Sequence, residues 1–216
     1  MKLYDFKPAP NPLRLNLFLA EKGIEIPSEQ INLMKGAQFS GDYKTVNPMM
    51  TVPTLVLDDG TVLTEVVSMY SYLEEQHPDN PLMGNTALER AQVLSWDHRC
   101  FNEGIIAIAE IFRNTSEAFV NRAIPGPTPC PQIAELAERG QTRAAAFYQV
   151  LESHLKGREY MVGEAFSAAD IAAFVFVHFG SWVKIEIPED CESVKAWHDR
   201  ISQRPAFVQC FAEIAQ

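Results

Sequence analysis

The chain has 216 residues, 47% of them hydrophobic and 21% charged, with a formal net charge of −10. That length supports a sizeable core in one large or two small domains, and the composition is that of an ordinary globular protein. An acid excess with no Lys/Arg stripe disfavours a phosphate backbone, so no nucleic-acid partner is expected. No apolar run approaches the roughly 18 residues of a membrane span. Met1-Lys2-Leu3-Tyr4-Asp5 lacks an apolar signal core, and a cytoplasmic protein without a membrane partner is expected.

In chain order, residues 2–6 alternate as a strand. Asn11-Pro12 predicts a helix start, with Asn11 as N-cap and proline in the first turn. Leu13, Leu15, Leu17, Phe18, Leu19 and Ala20 form a wide apolar face, and Gly23 ends the helix as a left-handed cap with Ile24 as its apolar partner. Residues 26–32 read as a second strand and 35–50 as loop or short helix. Residues 54–57 and 61–63 flank Asp59-Gly60, a hairpin signal, and 65–76 follow as helix. The Pro/Asn/Gly-rich stretch His77 to Gly84 is a break, so a mixed domain over 1–77, a linker over 78–86 and a helical domain over 87–216 are expected. Beyond the break, the spacing predicts helices over 86–112, 133–156 and 168–180 and a last pair within 191–216, with a loop at 124–131.

Cys100, Cys130, Cys191 and Cys210 form no Cys-x-x-Cys pair and read as reduced packing residues. The histidines have no i,i+4 spacing, so no metal is expected. Ser167-x-x-Asp170 has the form of a capping box, flanked by Phe166 and Ile171 as a hydrophobic staple, and serves folding.

Three stretches carry a family resemblance: "NPMMTVPTLVLDDGTVLTE" at 47–65, "GEAFSAADIAAF" at 163–174 and "VKAWHDRISQRPAF" at 194–207. In order and at these distances they resemble the cytosolic glutathione transferases. The resemblance implies an α+β fold: a thioredoxin-like domain (β-α-β-α-β-β-α), then an all-α domain. It also implies glutathione as co-substrate, a hydrophobic electrophile as second substrate, a detoxifying role and a homodimer. It gives Val52-Pro53 a cis bond whose outward-turned backbone pairs with the cysteinyl residue of glutathione, a one-residue strand addition. It gives Glu65 the γ-glutamyl ammonium. The residue after this glutamate is normally serine and here is Val66. Its N–H remains for the γ-glutamyl carboxylate, but the lost hydroxyl contact, roughly 1.5–3 kcal/mol, corresponds to about tenfold to hundredfold weaker binding.

A free thiol has a pKa near 8.5 and must be activated. Ala9 stands where many classes carry serine or cysteine and has no donor. Ala9-Pro10-Asn11, with Lys35-Gly36-Ala37-Gln38-Phe39 downstream, resembles the bacterial nu class, whose asparagine donates to the glutathione sulfur. Asn11 is therefore the expected catalytic residue, with Tyr4 as backup donor. Lys35 and Gln38 are expected at the glycine end of glutathione. Trp96, Arg99 and Phe101 are acceptor-pocket candidates where the opening turn meets the 86–112 helix. Two alternatives stay open: a glutathione-dependent disulfide reductase or organic peroxidase, and a non-catalytic binding protein on the same scaffold.

Overall fold

The computed structural model describes residues 1–215. Its first part is a four-stranded sheet in the order β2-β1-β3-β4, from β1 (Lys2–Asp5), β2 (Ser28–Gln30), β3 (Thr54–Val56) and β4 (Val62–Leu63). β1 pairs parallel with β2 and antiparallel with β3, and β3 pairs antiparallel with β4. β2 is shorter than the 26–32 run suggests. Its three residues are exposed at the sheet edge, and Pro27 brings only a carbonyl, which accepts from Leu3 N–H at 2.9 Å. The Asp59-Gly60 hairpin forms as expected, with Asp59 Oδ1 accepting from Thr61 N–H at 2.8 Å.

α1 (Pro10–Lys22) buries Leu13, Leu15, Leu17, Phe18 and Leu19 under the sheet and closes at Gly23, whose φ of 67° is the left-handed conformation that glycine adopts without steric cost. After β2 come two short 3₁₀ turns, Leu33–Lys35 and Ala37–Phe39, and then α2 (Gly41–Val46). α3 (Val66–Gln76) completes this thioredoxin-like unit, and Tyr70 of α3 stacks on Phe18 of α1 at 4.4 Å.

The second part is helical: α4 (Ala87–Arg99), α5 (Ile106–Thr115), α6 (Ala134–Leu155), α7 (Ala168–Ser181), α8 (Glu192–Ser202) and α9 (Pro205–Ile214). α5 and α6 cross so closely at Gly140 that a Cβ there would lie 2.6 Å from the Ala107 carbonyl. α7 is apolar all round and runs through the core, as its sequence requires.

One expectation is corrected here. The 86–112 helix is interrupted by a π-helical segment, Cys100–Ile105. Packing is the reason: Gly104 lies so close to the rings of Phe176 and Phe147 that a Cβ would meet them at 2.8–3.0 Å, and an inserted residue shifts the register to fit. At the start of α7 the expected capping box forms, and the Ser167 hydroxyl belongs to it. The hydroxyl donates to Asp170 Oδ2 at 3.1 Å, and the same carboxylate accepts from Ser167 N–H, Met161 N–H and Trp197 Nε1. Desolvation pushes the Asp170 pKa up to about 6, against these four hydrogen bonds.

Candidate functional site

The turn after β1 leads into the N-terminus of α1. The helix begins at Pro10 and its N-cap is Ala9, whose carbonyl accepts from Leu13 N–H at 2.8 Å. The expected N-cap role of Asn11 is thus corrected: it is the second residue of the first turn, too far along for its side chain to cap the turn it belongs to. The neighbouring prolines then set what this helix end offers. Pro10 and Pro12 have no N–H, and Ala9 N–H already donates to Phe6 O at 2.9 Å. Only Asn11 still brings a backbone N–H to the first turn.

The Asn11 side chain is oriented as well. Its Oδ1 accepts from Arg14 Nη1 at 3.1 Å. Arginine is donor-only, so the amide oxygen must face it, and the Nδ2 hydrogens point the other way with no partner among the described residues. Asn11 is half-buried. It presents two donors, backbone and side chain, at the positive end of a 13-residue helix, an arrangement that attracts an anion.

Arg14 is 2% exposed and its Nη2 reaches both carboxylate oxygens of Asp97 on α4, at 2.7 and 2.9 Å, with Asp97 1% exposed. Burial works against the arginine charge, but the Asp97 carboxylate outweighs it and holds the guanidinium above its ordinary pKa. The Phe101 and Tyr70 rings flank the guanidinium at 5.3 and 5.9 Å. Neither Arg14 nor Asp97 is marked in the sequence as functional. A charge at position 14 between Leu13 and Leu15 is the one available signal, and its partner lies 83 residues away.

The other expected site residues fall as follows. The Val52–Pro53 peptide is cis. Among the described residues, nothing hydrogen-bonds the Val52 N–H or C=O, and Thr51 O just before it is taken by Tyr43, Asn47 and Thr54. Glu65 is exposed as the N-cap residue of α3, without a side-chain cap bond. The Val66 side chain is turned into the core at 4% exposure, leaving only its N–H at the helix start. Ser68 does not replace the missing hydroxyl, because its Oγ donates to Glu65 O at 2.7 Å. Lys35 is exposed. Gln38 is half-buried, with its Oε1 buried and unpartnered. Tyr4 packs on Tyr43 at 5.7 Å, as a packing residue does.

Family models match both parts of the chain: "Glutathione S-transferase, N-terminal domain" over residues 9–76 and "Glutathione S-transferase, C-terminal domain" over 110–205. Glutathione S-transferase 2 of Saccharomyces cerevisiae is 30% identical over 211 residues, covering 95% of this chain and 87% of that protein. The chain belongs to the glutathione S-transferase family. The crystal structure of Gtt2 from Saccharomyces cerevisiae superposes with a TM-score of 0.87 at 29% identity, over 97% of this chain and all of that one. The disulfide-bond oxidoreductase YfcG of Escherichia coli is 28% identical over 207 residues, covering 93% of this chain and 90% of that protein.

In this transferase-family chain the helical part also reaches over the turn that carries Lys35 and Gln38. Residues 116–133 are tied down by Arg113, which donates to Ala123 O at 2.9 Å and to Arg122 O at 2.6 Å. From that loop Arg122 lies over the Phe39 ring at 5.3 Å. The sequence marked 124–131 only as a loop. Of the acceptor-pocket candidates, Trp96 packs against His154 with ring centres 3.8 Å apart and planes tilted by 34°, and Arg99 lies over the same indole while pairing with Glu103, so both are engaged within the helical part. Phe101 alone adjoins Arg14. An open cleft of about 390 Å³ between Asn80, Tyr160, Phe166 and Arg204 contains none of the site residues.

Proposed function

We propose that the protein activates the thiol of glutathione for attack on a hydrophobic electrophilic small molecule. The observation that carries this reading is the pair of unpartnered Asn11 donors at the start of α1. One hydrogen bond from the amide to the sulfur, roughly 1.5–3 kcal/mol for a charged partner, corresponds to a thiol pKa lowered by about one to two units. The helix dipole acts in the same direction. With a free-thiol pKa near 8.5, a large share of bound thiol is then ionised near neutral pH.

The remaining expected residues fit the tripeptide in order. The free N–H and C=O of Val52, beside Pro53, pair with its cysteinyl backbone. Glu65 takes the γ-glutamyl ammonium and Val66 N–H its carboxylate, while Lys35 and Gln38 meet the glycine end. The mixed part, residues 1–77, would bind glutathione. The helical part, 87–216, would form the acceptor side beyond the 78–86 linker, in a cytoplasmic homodimer that needs no metal.

Reduction of a disulfide or organic peroxide by the same thiolate is a second reading, supported by the match to the disulfide-bond oxidoreductase YfcG. A non-catalytic binding protein is the third. Calorimetric titration with glutathione, followed by turnover with a chlorinated nitroaromatic and with a glutathione-coupled disulfide, separates them. The leading reading expects sub-millimolar to millimolar binding and conjugation that Asn11→Ala abolishes or slows. No heat at millimolar glutathione would leave only the third.

A further inference from the structure

We infer that Arg14 and Asp97 act as positioning residues for Asn11, so that the helical part of the chain sets the direction in which the amide of the thiol-binding turn points. This rests on the proposed role of Asn11. The geometry is one that an ion pair alone does not require. A guanidinium paired only with a carboxylate commonly uses two nitrogens in parallel. Here Nη2 alone takes both oxygens of Asp97, Nε is buried without a partner, and Nη1 is turned to Asn11 Oδ1.

An asparagine amide whose oxygen and nitrogen are not distinguished by a partner can turn over and offer either group. With its oxygen facing the sulfur it would repel a thiolate; with its nitrogen facing the sulfur it stabilises one. Arg14 has no acceptor and so permits only the second orientation. Arg14 in turn cannot swing away. Asp97 holds Nη2, the Phe101 ring of the π-helical segment and the Tyr70 ring flank the plane, and Tyr70 Oη donates to Arg14 O at 3.0 Å. The chain of contacts runs from Asp97 on α4 through Arg14 to the Asn11 amide.

The test uses two variants of the full-length protein. Arg14→Lys keeps a cation for Asp97 but, as a compact point charge, lacks the second arm that reaches Asn11. Arg14→Met/Asp97→Leu removes the pair without stranding a buried charge. In either, the pKa of bound glutathione, read from the ultraviolet absorbance of its thiolate against pH, is expected to rise by about one unit and kcat for conjugation to fall about tenfold. KM for glutathione should change less than about threefold, because the tripeptide's own contacts are intact. In an Asn11→Ala background the same substitutions should cost nothing further. An unchanged thiol pKa in a folded Arg14→Lys protein, or losses that add fully to those of Asn11→Ala, would overturn the inference while leaving Asn11 in place. If Asn11→Ala itself leaves the thiol pKa unchanged, the underlying reading of the site fails.

Discussion

Two helix starts in this molecule meet the same physical demand in opposite ways. The N-terminus of α7 is buried, and Asp170 closes it: one carboxylate accepts from Met161 N–H, Ser167 N–H, Ser167 Oγ and Trp197 Nε1. The N-terminus of α1 lies at the junction of the two parts of the chain and is left open. Two prolines remove its competing N–H groups, and the donors of Asn11 have no partner among the described residues. Both starts are braced by a buried carboxylate, Asp170 in one and Asp97 in the other. At α7 the carboxylate consumes the donors; at α1 it holds an arginine that orients one. A satisfied helix end is a folding device, while an oriented and unsatisfied one is a candidate binding site.

The comparison can be broken most forcefully at α7. Asp170→Ala strands three buried N–H groups at once, and a loss of about 3–5 kcal/mol is expected from removing one side of a buried polar network. Urea unfolding followed by circular dichroism measures it; a loss below about 1 kcal/mol would mean that Asp170 does not close the helix. The matching change at α1 should behave in reverse. Asn11→Ala is expected to lower kcat/KM for glutathione conjugation about tenfold to hundredfold while moving stability by less than about 1 kcal/mol. A large stability loss with unchanged turnover would make α1 a second folding device.

A smaller effect is expected at Glu65, exposed at the start of α3. Glu65→Gln should weaken glutathione binding up to about tenfold, by calorimetry, with kcat nearly unchanged. An unaltered affinity would remove Glu65 from the tripeptide site.

The smallest concerns acid. Burial lowers the pKa of His154, His178 and His198. At these three rings the unfolded chain binds more protons than the native one below about pH 6.5, so their contribution to stability is fully present above that pH and declines as pH falls through it, while Asp170, raised to about 6, acts in the opposite sense. His178 lies against Phe211 of α9 and His198 stacks on Phe174 of α7. A His178→Phe/His198→Phe protein should show a shallower decline in Tm between pH 7 and pH 5, and an unchanged slope would show that neither ring contributes.

Much of the fold was legible in the chain. The Gly23 stop, the Asp59-Gly60 hairpin and the apolar character of α7 each rest on a local rule, and each was found where the rule put it. The misses have local explanations that involve distant partners. The π-helical segment exists because Phe147 and Phe176 crowd Gly104. At the site, Asn11 was readable as a residue type in a turn without other candidates, but not its place in the helix or its orientation.

By itself the sequence determined the family and the order of elements, because motif residues, turn residues and hydrophobic period are all properties of neighbouring positions. Only the tertiary structure decided which way the Asn11 amide faces, since that depends on Arg14, on a carboxylate 83 residues farther on, and on the two rings packed around them. Charges buried together lose their water and must find each other in space, and nothing in the spacing along a chain records where they meet.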